Sequence, residues 1–298
     1  SETVVGNPLP ILKWAGGKRG LLPKILPIIP KFNGTYFEPF LGAGAVFFSM
    51  PHHTRKVGND YNKDLIELYR VIRDNPEGLL SELRRHQNTK QHFYEVRAWD
   101  RQATFRQRSA EERAARMIFL NKTCFNGLFR VNSRNEFNVP FGNLKNPDFI
   151  SEANLLRMSS FLRSRHQGKR LVRLKSGDYR AALADAKEGD FVYLDPPYDP
   201  ISKTSSFVAY QTSGFSSADQ EKLKNEIDTL TSRGVPVLLS NSATALIRKL
   251  FSDKAVFRIR RVSANRTIGA SINSRGKTDE LLVDNFRATL GEYWHVKD

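Results

Sequence analysis

Phe191-Val192-Tyr193-Leu194-Asp195-Pro196-Pro197-Tyr198 is the stretch from which the fold of this chain is read. Its first half is short, apolar and β-rich, and it follows the turn pair Gly189-Asp190, a pattern that predicts a buried parallel strand. Its second half ends that strand with a carboxylate, two prolines and an aromatic ring. Such an ending makes a stiff, concave lip at the strand's carboxyl end, which is where open α/β sheets bind their ligands.

The lip has a definite chemistry. Proline has no N–H, so the Asp195 carboxylate and the Pro196 carbonyl are pure acceptors. A planar amino group set between them would donate both hydrogens, and Tyr198 could stack on the ring carrying that amine, worth about 1–3 kcal/mol for a nucleobase. The exocyclic amine of adenine is a poor nucleophile because its lone pair is delocalised into the ring. Drawing both hydrogens toward acceptors favours a pyramidal nitrogen able to attack a methyl group in line. Asp195-Pro196-Pro197-Tyr198 resembles the motif of amino-group methyltransferases that use S-adenosylmethionine. Read alone, four residues fit an ordinary Pro-rich turn equally well, so the rest of the chain decides.

Working outward, charge comes first. The 298 residues carry a formal net charge of +16, an excess that fits a polyanionic partner, with nucleic acid the first candidate. A membrane surface is the alternative. The sequence has no basic amphipathic helix with a long apolar face, no apolar run near the ~20 residues of a membrane span, and no signal-peptide core at its start. The single cysteine, Cys124, cannot form an internal disulfide and suits a reducing cytoplasm.

Ile11-Leu12-Lys13-Trp14-Ala15-Gly16-Gly17-Lys18 sets two glycines before a lysine, but Leu12 and Arg19 stand where a P-loop needs glycine and a hydroxyl. What remains is an aromatic, a glycine turn and a lysine, able to hold the two ends of a cofactor; a loop entering a helix is the plain alternative. Lys13 to Lys18 is similar to the N-terminal motif of Dam-type adenine methyltransferases. Next, residues 35–45 read as a strand, a glycine turn and a helix start. Gly42-x-Gly44 half-matches the dinucleotide fingerprint, with Phe47 where the third glycine belongs. Asp60 closes the following strand and is placed to bind ribose hydroxyls. NAD binding is the competing reading of this segment. Phe37-Glu38-Pro39-Phe40-x-Gly42-x-Gly44 resembles the methionine-binding loop of the same family.

From residue 62 to about 150 helical patterns dominate, and Ser109-x-x-Glu112 reads as a capping box opening a helix through Leu120. The segment ends in residues 125–142, a loop studded with aromatics, Asn and Arg. Arg pairs with guanine, Asn with adenine, and apolar tips fit thymine methyls or opened base steps; a β-hairpin with a glycine turn is the unaided reading. Asn126-Gly127-Leu128-x-Arg130-x-Asn132 and Glu136-Phe137-Asn138-Val139-Pro140-Phe141-Gly142 resemble the recognition hairpin of Dam-type enzymes. The resemblance sets Asn126, Leu128 and Arg130 at the DNA, with Asn132, Asn138 and Pro140 nearby, and Lys13 at the recognition site.

Beyond it a helix is expected around 154–165, then a strand over 171–174. The strand leads into Ser176-Gly177-Asp178-Tyr179, where the resemblance gives Asp178 the cofactor's adenine amine and a helix N-cap is the alternative. After the lip, 199–214 is a loop long enough to move over a target base. Ser217-x-x-Gln220 opens a helix ending at Gly234. Strands follow over 235–239, 255–262 and 281–286, the last two flanking a basic loop whose Arg266, Arg275 and Lys277 are expected near phosphates.

Seven strands, the first five alternating with helices, give the Rossmann-like, mostly parallel sheet of class I S-adenosylmethionine-dependent methyltransferases, here with an inserted helical recognition domain. The order of glycine loop, insert and Asp-Pro-Pro-Tyr is similar to the α group of DNA amino-methyltransferases, over residues 11 to 286. The expected domains are 1–62 with 151–286 (catalytic), 63–150 (recognition) and 287–298 (tail). The resemblance implies methyl transfer from S-adenosylmethionine, leaving S-adenosylhomocysteine, to N6 of a flipped adenine in duplex DNA, with GATC as the site. Trp14, Ala15, Gly16, Gly17, Lys18, Glu38, Pro39, Phe40, Gly42, Gly44, Asp60, Asp178, Tyr179 and Asp195 form the expected cofactor set. No metal is expected, because a sulfonium leaves as a neutral group. A monomer, or a dimer on DNA, in the cytoplasm of a bacterium or encoded by a phage is expected, alone or in a restriction–modification pair. Three rival readings fit the residues less well. A cytosine C5 enzyme needs a nucleophilic cysteine after proline, whereas Cys124 follows Thr123. An RNA or protein amino-methyltransferase would share the lip without the hairpin, and a non-catalytic DNA-binding protein would have no use for Asp195 or the glycine loop.

Overall fold

Among the described residues nine strands form: β1 (Thr35–Glu38), β2 (Arg55–Asp60), β3 (Arg165–His166), β4 (Lys169–Arg170), β5 (Val172–Ser176), β6 (Phe191–Leu194), β7 (Val237–Ser242), β8 (Arg258–Asn265) and β9 (Lys277–Asp284). They belong to a computed structural model that describes residues 6–14, 16–202, 214–265 and 277–291. Seven of them make one sheet in the order β5-β2-β1-β6-β7-β9-β8, while β3 and β4 pair with each other alone. β1 runs parallel to β2 and β6, and β6 parallel to β7, with Tyr36 beside both Lys56 and Phe191. β9 runs antiparallel between β7 and β8, so that Glu280 lies beside Ser242 on one side and Val262 on the other. This is the class I methyltransferase sheet, with all seven expected strands present.

The apolar run 191–194 is the central strand, and all four residues are buried, as a parallel strand covered on both faces requires. β7 begins at Val237, two residues after the expected start, because Pro236 has no N–H to give a ladder and instead accepts from Val192. β9 begins at Lys277 and stops at Asp284, where the Asn285 side chain takes the Val237 N–H in place of a ladder partner.

Cα proximity divides the chain into two units. One comprises the chain up to Gly17, Gly42–Thr54 and Asp60–Gly177; the other comprises Lys18–Leu41, Arg55–Asn59 and the chain from Asp178 onward. The second unit has an apolar core in which Phe37, Val57, Val192, Leu194 and Leu239 meet Leu223 and Ile227 of the helix Ser217–Ser232. The first is built on α2 (Lys63–Asp74), α3 (Pro76–Leu83), α4 (Lys90–Arg97), α5 (Ala110–Thr123) and α6 (Glu152–Leu162), following the short α1 (Leu22–Ile25) of the other unit. The capping box at Ser109 and Glu112 forms as read and starts α5. Phe93, Val96, Phe119 and Leu120 pack with Phe137 and Val139, which roots residues 125–142 in the helices.

Three local expectations are corrected. No α-helix begins after Gly44: residues Phe47–Ser49 form one 3-10 turn, because Phe47 and Phe48 turn into the core against Phe161 and Pro51 follows at once. The cap of the helix Ser217–Ser232 is Ser216 with Asp219, one residue before the expected pair. α6 ends at Leu162, and the rest of the span assigned to it turns back as the β3–β4 hairpin through Gln167 and Gly168, both at positive φ (51° and 77°).

Candidate active site

β6 delivers Asp195 at its carboxyl end, and the ring of Tyr198 follows after the two prolines. The buried Lys18 ammonium lies 3.1 Å from an Asp195 oxygen and 4.2 Å from the centre of the Tyr198 ring. The Tyr198 hydroxyl donates to Glu280 of β9 at 2.8 Å. Burial pushes the Asp195 carboxyl up to about 6; the Lys18 charge pulls against this and Glu280 adds to it. Burial, then the charges of Asp195 and Glu280, holds the Tyr198 phenol well above its usual range, so it stays protonated and donates.

The lip is braced from behind by buried amides. Gln220 donates to the Pro197 carbonyl at 2.9 Å, and Asn241 donates to Gln220 at 3.0 Å. The Asn241 oxygen accepts from the Asp199 N–H at 2.9 Å, and the Asp199 carboxylate accepts from Thr244 at 2.5 Å. Ser242 closes the ring by donating to the Asp199 carbonyl. Two prolines lack N–H groups to anchor them, so neighbouring side chains fix the turn.

The same unit carries the start of the glycine loop. Tyr36 donates to the buried Glu38 at 2.6 Å. Asn59 holds the next residues, its side chain donating to the Pro39 carbonyl (3.0 Å) and its carbonyl accepting from Leu41 N–H (2.9 Å). Phe40 lies 4.9 Å from the Tyr179 ring, whose phenol burial pushes up to about 12. Asp178 caps the helix Tyr179–Ala182 and pairs with Arg180 at 2.8 Å.

In the other unit, Asp60 accepts from the N–H groups of Gly42 and Asn62, each at 2.9 Å. Burial nevertheless raises its pKa. Gly42 and Gly44 sit at φ 51° and 72°, a region open to glycine and strained for other residues. A Cβ on Gly42 would come within 2.9 Å of the Trp14 ring. The same indole stacks on Phe129, with centroids 5.0 Å apart. Gly17 N–H closes a turn onto the Trp14 carbonyl at 3.0 Å, with Gly16 at φ 76° between them; Ala15 lies outside the described residues.

Residues 125–142 form an irregular hairpin held by bridges at Cys124–Phe141 and Val131–Phe137. Asn126 and Gly127 both take positive φ (58° and 61°), and the Lys13 side chain packs where a Gly127 Cβ would be, 2.5 Å away. Asn121 ties the two segments together, its oxygen accepting from Lys13 N–H (2.9 Å) and its amide donating to the Lys13 and Gly127 carbonyls (2.7 and 3.2 Å). Lys13, Asn126, Leu128, Arg130 and Pro140 are exposed. Asn132 is turned inward on the hairpin, accepting from Arg134 and Glu136 N–H groups. Asn138 accepts from Arg130 Nε at 3.0 Å. Phe129, the bulky neighbour of Arg130, points at Trp14 instead of crowding the guanidinium. Burial pushes the Cys124 thiol up to about 11, unlike a nucleophile.

Arg266 and Arg275, and residues 203–213 of the loop after the lip, lie outside the described residues, and Lys277 opens β9. Among the described residues no group of His, Cys, Asp or Glu side chains is arranged to hold a metal ion, and no helix is long and apolar enough to cross a membrane. Sequence reading missed Glu280, Gln220 and Asn241. An amide and two serines closing the apolar run of β7 were the available signal for Asn241; Glu280 gave none, since it reads as one charge just before the last expected strand.

Comparison with known proteins agrees with this chemistry. The model for the D12 class of N6 adenine-specific DNA methyltransferases matches residues 14–268. The chain is 43% identical to the type II methyltransferase M1.LlaDCHI of Lactococcus lactis subsp. cremoris, over 94% of this chain and 96% of that protein. It is 36% identical to the type II methyltransferase M.MjaIII of Methanocaldococcus jannaschii, over 93% and 99%, and 34% identical to the DNA adenine methylase of Escherichia coli K12, over 91% and 93%. A carboxylate–proline–aromatic lip, a glycine loop anchored by a strand-end acid and an Asn/Arg hairpin thus occur together in a chain that belongs to the D12 class of S-adenosylmethionine-dependent, N6 adenine-specific DNA methyltransferases.

Proposed function

We propose that this enzyme methylates the adenine of GATC in duplex DNA, acting as a cytoplasmic monomer with 63–150 as its recognition insert and 1–62 with 151–286 as its catalytic part. The observation that carries the site assignment is Lys13 packed on Gly127, which groups an exposed lysine with Asn126, Leu128 and Arg130 on one hairpin. A single compact hairpin with one arginine suits a short palindrome in which Arg130 reads a guanine, worth about 1–3 kcal/mol of discrimination.

The residues fit S-adenosylmethionine on their donor chemistry. A carboxylate has roughly four lone-pair sites, so Asp60, with two of them used by backbone N–H groups, retains acceptors for ribose hydroxyls. Two carboxylates against one ammonium at the lip (Asp195, Glu280, Lys18) suit a cationic donor. When bound, the cofactor supplies an electrophilic methyl on a sulfonium. Glu38, Pro39, Phe40, Gly42, Gly44, Asp178, Tyr179 and residues 14–18 complete the proposed cofactor set.

At the lip, Asp195 and the Pro196 carbonyl accept the two hydrogens of a flipped adenine amine. Gln220 already occupies the Pro197 carbonyl, which favours Pro196 as the second acceptor. Tyr198, moored to Glu280, offers its ring face to the base. Flipping costs a few kcal/mol of unstacking, offset by stacking and by the two hydrogen bonds. Once nitrogen takes the methyl it releases one proton, which Asp195, titrating at about 6, can accept at neutral pH.

The test is to expose unmodified DNA to enzyme and cofactor and map methylated adenines. GATC alone is expected for the wild type, relaxed choice at the outer base pair for Arg130→Ala, and no transfer for Asp195→Ala. Methylation outside GATC overturns the site; wild-type turnover in Asp195→Ala overturns the lip.

A further inference from the structure

The stretch 163–177 carries Arg163, Arg165, Lys169, Arg170, Arg173 and Lys175 and not one Asp or Glu. Its centre is the β3–β4 hairpin, whose register sets Arg165 opposite Arg170 and His166 opposite Lys169. Like charges directly across a strand pair destabilise it, and two-residue strands have little else to hold them together. All four side chains are exposed, as are Arg163 and Arg173. A carboxylate that feels these charges is Asp74 at the end of α2; it is already paired with Arg73 at 2.8 Å, and the charges of Arg170 and Arg163 lower its pKa further. One acid is therefore shared among three guanidinium groups, and the hairpin itself has none.

Position separates this patch from Asp60. Gly177, just past the far end of β5, donates to the Asp60 carbonyl at 3.0 Å. The hairpin precedes the near end, so the length of β5, about 17 Å at ~3.3 Å per residue, lies between it and the cofactor acid.

We propose that the hairpin Arg165–Arg170 binds the phosphates of duplex DNA outside the recognition sequence, as a second backbone contact away from Asp60. The patch supplies what a phosphate backbone neutralises, and its internal repulsion is relieved when phosphates sit between the strands. The inference rests on the DNA reading of this enzyme.

The experiment compares wild type with the triple variant Arg165→Gln/Lys169→Gln/Arg170→Gln on two duplexes, one of about 12 base pairs holding only the recognition site and one of about 40 base pairs with the site at its centre. Since each neutralised phosphate adds about 0.9 to the log–log salt slope, the variant is expected to lose about two to three from its slope on the long duplex. It should also bind that duplex about tenfold or more weakly in low salt, with binding of the short duplex unchanged. Arg165→Lys/Arg170→Lys should behave as wild type. The triple variant should also melt no lower than wild type, because repulsion has been removed; a lower melting temperature would make the arginines structural and overturn the proposal. Equal losses on both duplexes, or none on either, overturn it too. A wild type that bound neither duplex would instead overturn the DNA reading beneath it.

Discussion

The Lys18 ammonium stands between the Asp195 carboxylate and the face of Tyr198, 3.1 Å from the one and 4.2 Å from the ring centre of the other. It holds down a carboxyl group that burial alone would push further up. Methyl transfer should therefore fall with acid, half lost near pH 6, as Asp195 takes a proton and ceases to be a pure acceptor. Lys18→Met removes the restraining charge, and the acid limb should move to higher pH. Single-turnover rates measured from pH 5 to 9 decide this; an unmoved limb means that another group sets it.

Glu280 acts on the same carboxyl in the opposite direction. Glu280→Gln keeps an acceptor for the Tyr198 hydroxyl but removes a charge that raises Asp195, so its acid limb should move to lower pH. Glu280→Ala removes the acceptor as well, and a lost hydrogen bond to a charged group corresponds to about 1.5–3 kcal/mol, or roughly tenfold or more in rate. Identical profiles in the two variants would mean that the hydrogen bond to Tyr198 adds nothing beyond the charge, and an acid limb unmoved in both would remove the charge effect too.

Behind the lip, Asn241→Ala takes the acceptor from the Asp199 N–H and the donor from the Gln220 side-chain oxygen, in a buried place. A buried polar group left unsatisfied costs about 1–3 kcal/mol. Denaturant unfolding should show a loss of that size, and the transfer rate should fall because the Pro197 turn loses its brace. A variant as stable and as fast as wild type would show the network to be incidental.

In the helical unit, His86 stacks on Phe119 (4.7 Å, 9° between planes), shares a 2.8 Å contact with His92 and borders Trp99, while Glu95 acts on His92. Burial, then His92, pushes its pKa from 6.5 down to about 4. Between those values the unfolded chain takes up a proton that the folded one refuses. The stabilisation is thus complete above pH 6.5 and lost as pH falls toward 4, by up to roughly 3 kcal/mol. His86→Phe keeps the stacking and should flatten this part of the stability curve; an unchanged slope would assign the acid sensitivity elsewhere.

The central strand could be read to its exact ends because four apolar residues are bounded by a Gly-Asp turn and two prolines, all local signals. The Ser109–Glu112 box was legible for the same reason. Glu280 was not, because it meets Tyr198 from 82 residues away and nothing local marks that encounter. The glycine neighbours of Lys18 point to a cofactor loop, and nothing local shows that its side chain reaches Asp195. Gln167 at positive φ hid the basic hairpin, since sequence patterns expect glycine or asparagine there.

Trp14 lies against Gly42 and stacks on Phe129 of the 125–142 hairpin. The indole is thus a shared wall, and the two loops cannot be repositioned independently of it. If seating the hairpin on its sequence strengthens the hold of the glycine turn on the methyl donor, thermodynamic reciprocity requires that the donor strengthen the grip on DNA by the same factor. Sequence discrimination and cofactor affinity then become one shared quantity, and a smaller side chain at position 14 would uncouple them without touching either ligand.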